Sequence, residues 1–504
     1  MAENIADITS AATLLEARLP ADGVAACFID GRWHWPESGD TLTVENPSRR
    51  APLAKIGRGT AREVDLAVDA ATAAFPAWRA LAASERGRML TELGERLIAD
   101  AEEVARLLAA ETGNAIKTQS RGEVMGAAGV LKYYGGVSVE QKGETLPLGP
   151  GIFSYSTREP HGVVGSIIPW NSPLQLGAVK ISMALATGNT LVLKPAEDAP
   201  LAVLRLVEMA ADIFPPGVFN VVTGLGEEAG AALARHPGVA KVSFTGSSEV
   251  GKLIAHAAAD RIANVTLELG GKSPCIVFPD AAEEPHLDQT VSGIINAMRF
   301  ARQGQSCTAG SRLFVHRSVW DTIMPRVAEA AAAMKVGDAL DPDADIGAVI
   351  NGERYGAIRA YVAEAEASGA AFLTGATPPD DPPGYQPIPT VITGLDNTWR
   401  IAREEVFGPV LVAIPWDDEA EVVAMANDTH YGLAAFIFTR DAATIIRMSR
   451  AIDAGWVQVN QGGGQIPGMS YGGTKQSGIG SEYSIEGALE AYTFRKCVTI
   501  AVDP

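Results

Sequence analysis

The chain has 504 residues, enough for two or three domains with a sizeable core, and its 47% hydrophobic and 20% charged residues are ordinary for a globular protein. Its 41 basic and 60 acidic side chains leave a net charge of −19, which argues against nucleic acid or an anionic membrane as partner. No apolar run approaches the roughly 18 to 20 residues of a bilayer crossing, and the opening Met1-Ala2-Glu3-Asn4-Ile5-Ala6-Asp7 lacks the basic and apolar regions of a secretory signal, so a cytoplasmic protein is expected.

The first twenty or so residues read as a loosely attached arm. Residues 28–46 have hairpin character, with Gly31, Pro36 and Gly39 marking turns. Thr60-Ala61-Arg62-Glu63 is a capping box opening a helix with apolar positions at Val64, Ala67, Val68 and Ala71. One long helix is predicted over 84–112, closed by Gly113-Asn114. From residue 163, apolar β runs at 163–168, 190–194, 218–222 and 241–245 alternate with helical segments. That is the rhythm of βαβ units in a parallel sheet covered on both faces, an α/β fold class. A second α/β half follows Gly271, beginning with a strand over 274–278. Extended pieces at 143–159 and 491–502 stand outside this scheme, and 378–383 is a proline-rich surface loop.

Four cysteines are too few and too scattered for a disulfide framework, and no Cys-x-x-Cys or His-x-x-x-His spacing suggests zinc. Cys27, Cys275 and Cys497 lie among apolar or β-branched neighbours and read as small buried hydrophobes. Cys307, in Gly304-Gln305-Ser306-Cys307-Thr308-Ala309-Gly310, has small and polar neighbours that suit an accessible, reactive thiol, just after a helical stretch over 286–302.

Glu268 ends a β-branched run, Val265-Thr266-Leu267-Glu268-Leu269-Gly270-Gly271. A carboxylate that activates water and a thiol that attacks carbon are the two parts of an acyl-enzyme cycle, although each alone also reads as a strand-end acid or a core cysteine. In Gly165-Ser166-Ile167-Ile168-Pro169-Trp170-Asn171-Ser172-Pro173 a strand ends in a turn fixed by two prolines. The Asn171 amide there either donates to an oxyanion or bonds its own backbone. Lys194-Pro195-Ala196-Glu197 sits at a strand's carboxyl end, where doubly wound sheets bind ligands. Its ammonium and carboxylate suit ribose hydroxyls, and the carboxylate repels a 2′-phosphate; an exposed charge pair is the other reading. Phe244-Thr245-Gly246-Ser247-Ser248-Glu249-Val250-Gly251 opens a helix whose N–H groups can face a pyrophosphate. A near-match to a P-loop there fails at Leu253, and 224–230 is one residue too long for the standard dinucleotide fingerprint. Glu404-Glu405-Val406-Phe407-Gly408-Pro409-Val410 reads as an acidic entry to a strand, and Tyr471-Gly472-Gly473-Thr474-Lys475-Gln476-Ser477-Gly478 as a structural turn.

In this order, the segments resemble the NAD(P)-dependent aldehyde dehydrogenase superfamily, of the hydrolytic, non-acylating type, over nearly the whole chain. The resemblance implies a three-layer fold. A variant Rossmann cofactor domain would cover 21–142 and 161–271, an α/β catalytic domain 272–478, and a strand-swapping oligomerisation arm 143–160 and 479–504, in a homodimer or homotetramer. It implies Cys307 as nucleophile, Glu268 as the base for water, Asn171 with the Cys307 N–H as oxyanion donors, and Lys180 as a further catalytic group. It implies NAD, with NADP as a second choice and no metal. The cofactor would be held by Ile168, Pro169, Trp170, Lys194, Glu197, Gly226, Gly246, Ser247, Val250 and Leu269, with Glu405 on the nicotinamide ribose and Phe407 against the nicotinamide. The implied substrate pocket is Ser172, Leu176, Val179, Ser306, Thr308 and Tyr471.

Departures from the family pattern bear on the substrate. Arg302 replaces an asparagine common before the Gln-Gly-Gln turn, and Ser172 and Val179 stand where aromatic residues are common in relatives acting on small aldehydes. Their small size leads us to expect room for bulky aromatic or long-chain aldehydes. A CoA-acylating relative is the alternative within enzymes, against which Glu268 argues. A catalytically silent homologue is the alternative outside them, against which intact Cys307, Glu268 and Asn171 argue.

Overall fold

The capping box forms as its residues dictate. The Thr60 hydroxyl accepts the Arg62 N–H at 3.3 Å, and the Glu63 carboxylate accepts the Thr60 N–H at 2.7 Å. The helix so opened, Ala61–Ala80, buries Val64, Ala67, Val68 and Ala71. This computed structural model describes residues 27–502, so the arm expected over the first twenty residues lies outside it. The single helix expected over 84–112 is two, Ala83–Ala99 and Ala101–Thr112. Asp100 leaves helical geometry at φ −104°, ψ 19°, and Arg205 holds its carboxylate at 2.7 Å. That tie turns the second helix onto Leu201–Ala210. Gly113, left-handed at φ 75°, ends it.

An eight-stranded sheet runs in the order Gly478–Ile479, Asn264–Glu268, Lys241–Thr245, Val163–Ile167, Thr190–Lys194, Phe219–Val221, Cys27–Ile29, Arg32–His34. The strands from Asn264–Glu268 to Phe219–Val221 are parallel, and the outer ones pair antiparallel. Val163–Ile167, Thr190–Lys194 and Lys241–Thr245 are buried along their whole length, as expected of strands covered on both faces. Parallel register brings Ile167, Lys194, Thr245 and Glu268 to one edge of the sheet.

A seven-stranded sheet follows, in the order Ala371–Thr374, Thr390–Thr393, Val410–Trp416, Arg312–His316, Pro274–Val277, Ala434–Phe438, Trp456–Val459. Only Ala371–Thr374 runs antiparallel in it. A three-stranded antiparallel sheet joins Thr493–Ala501, Ile152–Pro160 and Thr145–Leu146. The predicted hairpin character over 28–46 resolves into two pairings, Cys27–Ile29 with Arg32–His34 and Thr41–Asn46 with Ala51–Gly57. Cys27 and Cys275 are buried, but Cys497 is exposed. Phe494, Ile500 and Val502, on the same terminal stretch, are also exposed in the single chain.

Candidate active site

The loop that carries Cys307 is built by a sharp reversal. The helix predicted over 286–302 stops at Ala297, and a single tight turn, Phe300–Arg302, follows. Arg299 (φ 60°) and Gln303 (φ 52°) flank that turn in the left-handed region. Gly304 (φ 67°) comes next, and a Cβ there would collide with the Gly408 carbonyl oxygen. The Gly310 N–H returns to the Ala297 carbonyl at 2.8 Å and closes the loop. Ile350 N–H donates to Gln305 Oε1 at 3.1 Å, which anchors the loop's middle. Cys307 is left half-buried at the floor of a cavity of about 460 Å³.

Glu268, the last residue of its strand, opens onto the same cavity and is 3% exposed. Neither carboxylate oxygen has a hydrogen-bond partner among the described residues. Burial pushes this carboxyl well above its usual range, Glu482 pushes the same way, and Lys180 opposes them. Lys180 and Glu482 form a buried ion pair. Asn171 also lines the cavity; its Nδ2 donates to the Gln305 carbonyl at 3.0 Å. An amide nitrogen has two hydrogens, so one remains for a ligand. Burial drives the Cys307 thiol up to about 12, against a hydrogen bond with Tyr471 and the charge of Arg299.

Of the pocket residues expected from sequence, Ser172, Leu176, Ser306, Thr308 and Tyr471 line the cavity. Val179 does not. It is fully buried in the core. The room that Ser172 was expected to leave is filled by Arg302, whose guanidinium donates to Ser172 Oγ and, at 3.0 Å, to Gln119 Oε1. Glu123 Oε2 lies 3.7 Å from the same guanidinium. The wall is therefore polar where an apolar one was expected. Gln119, Glu123, Gln175, Arg299 and Tyr483 also line it, and none was singled out from sequence. They come from segments with no motif, so only the fold reveals them.

The expected cofactor residues gather along the carboxyl edge of the eight-stranded sheet. Lys194 Nζ lies 2.6 Å from Glu197 Oε2, while Glu197 Oε1 accepts the Gly226 N–H at 3.3 Å. Ile168 N–H donates to the Lys194 carbonyl at 3.1 Å, and the Pro169-Trp170 turn follows. Beyond Gly246, Ser247 caps Ser248–Ala259 by accepting the Val250 N–H at 3.2 Å, which leaves a helix N-terminus facing the sheet edge. Glu405 Oε1 accepts the Gly271 N–H at 2.9 Å, and a Cβ on Gly270 would strike that carboxylate. Burial lifts Glu405 to about 7, with the Gly271 N–H and Lys272 opposing. Phe407 meets Trp170 at right angles, centroids 5.4 Å apart. Leu269 is fixed by its N–H to the Ser477 carbonyl at 2.9 Å. This donor set fits a dinucleotide without a 2′-phosphate. Its acids suit ribose hydroxyls, and Lys194, the one cation among these residues, is already paired with Glu197.

Residues 33–498 match the model of the aldehyde dehydrogenase family. A phenylacetaldehyde dehydrogenase of Pseudomonas fluorescens is 39% identical, over 97% of this chain and 99% of its own length. A hydroxyisobutyraldehyde dehydrogenase of Mycolicibacterium austroafricanum is 38% identical, over 95% and 94%. The structure of an NAD⁺ complex of aldehyde dehydrogenase from Bacillus cereus matches with a TM-score of 0.92 at 35% identity, covering 95% of this chain and 97% of that one. Among the described residues, no helix is long and apolar enough to cross a membrane.

Proposed function

Because the chain belongs to the aldehyde dehydrogenase family and is an NAD-dependent oxidoreductase acting on aldehydes, we propose that it works through Cys307, Asn171 and Glu268 by the hydrolytic route. The observation that carries this reading is that all three side chains open onto one cavity. The Cys307 sulfur, once deprotonated, adds to the aldehyde carbon, and the carbonyl electron pair moves to oxygen. Asn171, pre-oriented by Gln305, gives its second amide hydrogen to that oxyanion together with the Cys307 N–H. NAD, when bound, supplies the acceptor for the hydride that leaves the same carbon. Cys307 then holds the acyl group as a thioester. Glu268 takes a proton from water, the water oxygen adds to the thioester carbon, and the C–S bond breaks to release the acid. Burial raises the proton affinity of this carboxyl, which makes it a stronger base toward water once ionised. Glu268 at the cavity also favours water over CoA as the acyl acceptor.

The wall chemistry supports aldehydes that carry an anionic group. Arg299 donates to the carbonyls of Gly462 and Gly463, and among the described residues no carboxylate is bonded to it. Arg302 stands beside it with Glu123 at 3.7 Å, and Glu123 is itself pushed toward its neutral form by burial. Two guanidiniums in a partly dry cavity favour a carboxylate over an alkyl tail. The test is NADH formation without CoA, for short ω-carboxy aldehydes and for phenylacetaldehyde, by the wild type and Cys307→Ala. We expect the charged substrates to have the higher kcat/KM and the variant to be inactive. Turnover that persists in the variant, or that needs CoA, overturns the route; preference for phenylacetaldehyde overturns only the substrate class.

We also read 143–160 with the tail as the arm of a homo-oligomer. Leu146, Leu148, Ile152, Phe153, Phe494, Ile500 and Val502 are exposed there, and Thr493–Ala501 is an edge strand nine residues long. A second copy's sheet is the natural cover for such an edge.

A further inference from the structure

Tyr471 touches the nucleophile itself. Its hydroxyl lies 3.6 Å from Cys307 Sγ, the one hydrogen bond that the phenol makes among the described residues. The side chain is 2% exposed. Its ring is clamped nearly perpendicular to Trp456, at a centroid separation of 5.6 Å, and to Tyr483, at 5.7 Å. The backbone is tied in both directions, Tyr471 N–H to the Glu482 carbonyl at 3.1 Å and Glu482 N–H to the Tyr471 carbonyl at 2.7 Å. The hydroxyl is therefore aimed at the sulfur by rigid neighbours rather than by a flexible loop.

A phenol is intrinsically a weaker acid than a thiol, and burial pushes that of Tyr471 further up. A thiolate has no hydrogen to give. In that state the direction of the bond is settled, with oxygen as donor and sulfur as acceptor.

We propose that Tyr471 is a catalytic residue: its phenol donates a hydrogen bond to the Cys307 sulfur whenever that sulfur carries charge, first as the attacking thiolate and again as the leaving thiolate. This rests on Cys307 being the nucleophile. On attack the sulfur lone pair forms the S–C bond and the bond to Tyr471 weakens. On thioester hydrolysis the C–S bond breaks with its pair on sulfur, and the phenol meets that charge again. The phenolic proton stays on oxygen throughout. Among the influences that oppose burial at Cys307, this hydrogen bond is the largest. A donor also makes sulfur a weaker nucleophile, but only by about 0.4–0.5 of each unit gained in thiolate population. Below the thiol's own titration the population effect wins.

Tyr471→Phe removes one oxygen and leaves the ring in its clamp. The measurement is the rate of iodoacetamide alkylation against pH, read at the Cys307 peptide by mass so that the exposed Cys497 does not contribute. A hydrogen bond to a charged group is worth about one to two pH units of thiol acidity, which the experiment reads as alkylation about three- to tenfold slower at every pH below the thiol's titration. kcat/KM should fall with it, while NAD affinity and the thermal midpoint stay unchanged. A folded variant alkylated at the wild-type rate overturns the proposal, because a ring that only packs would leave the thiol's acidity alone. Fluorotyrosine placed at 471, a more acidic donor, should shift the alkylation rate the other way, upward. If Tyr471→Phe does not fold, failure of the fluorotyrosine protein to shift overturns the proposal equally. Activity retained in Cys307→Ala would instead mean that the reading of the nucleophile is wrong, whatever the alkylation shows.

Discussion

Replacing Lys180 by Met should destabilise the protein far more than replacing Lys180 and Glu482 together. Lys180 is fully buried and Glu482 is 1% exposed, so each is the other's substitute for water. Glu482 Oε2 has no hydrogen-bond partner among the described residues, which leaves the lysine as the main support of this carboxylate. Removing one member of such a pair strands a buried charge at a cost of about 3–5 kcal/mol, whereas apolar residues in place of both are near neutral. Lys180→Met and Glu482→Leu should each lower the urea midpoint, and the double variant should recover most of the loss, giving a coupling of about 3 kcal/mol or more in the cycle. The pH profile supplies an independent reading. Lys180 pulls the Glu268 titration down and Glu482 pushes it up, so the two single variants should shift the limb assigned to Glu268 in opposite directions, upward for Lys180→Met. Additive stability losses, or limbs that move the same way, would refute the argument.

Arg302→Gln should lower kcat/KM for a carboxylate-bearing aldehyde by about tenfold or more and change that for an uncharged one by less than about threefold, since one charge-assisted contact is worth roughly 1.5–3 kcal/mol; equal losses on both would remove Arg302 from substrate choice. Glu197→Gln should raise the ratio of NADP to NAD efficiency by about tenfold, because it takes away the charge that a 2′-phosphate would face; initial rates with both cofactors decide it. Glu111 is raised from 4.5 to about 8 by burial, so the folded protein holds its proton more tightly than the unfolded chain does. The stability this contributes is complete below about pH 4.5 and is lost as pH rises through about 8, and Glu111→Gln should flatten the fall in urea midpoint across that window.

The parallel strands of the first sheet were legible because buried strands read as unbroken apolar runs, as at 190–194 and 241–245. The break at Asp100 was not, since Asp is tolerated in a helix and its partner Arg205 lies 105 residues away. Cys307 stood apart from the other cysteines by its small, polar neighbours, whereas Glu268 alone read equally as a strand-end acid, and only the order of segments along the chain linked the two. Arg302 was visible as a departure, but its contact with Ser172 depends on two left-handed residues, Arg299 and Gln303, that no propensity predicts. Val179 was placed in the pocket by the family pattern alone, and that pattern does not say which side of this helix faces the cavity. Glu482 and the hydroxyl of Tyr471 carried no signal at all, because their partners are fixed by tertiary contact alone.

The strand that ends in Glu268 is bordered by Gly478–Ile479, and Ser477 Oγ reaches back to the Gly270 carbonyl at 2.7 Å. Further on, the Tyr492 carbonyl accepts from Asn189 and the Ser484 carbonyl from Tyr134. Glu268 is thus seated by chain made some two hundred residues after it. During synthesis, a nascent polypeptide already carrying both thiol and carboxylate still lacks the border that positions the carboxylate and the phenol that meets the sulfur. The ribosome therefore delivers the reactive parts first and the piece that assembles them last, so a truncated product keeps a cysteine without the machinery to use it.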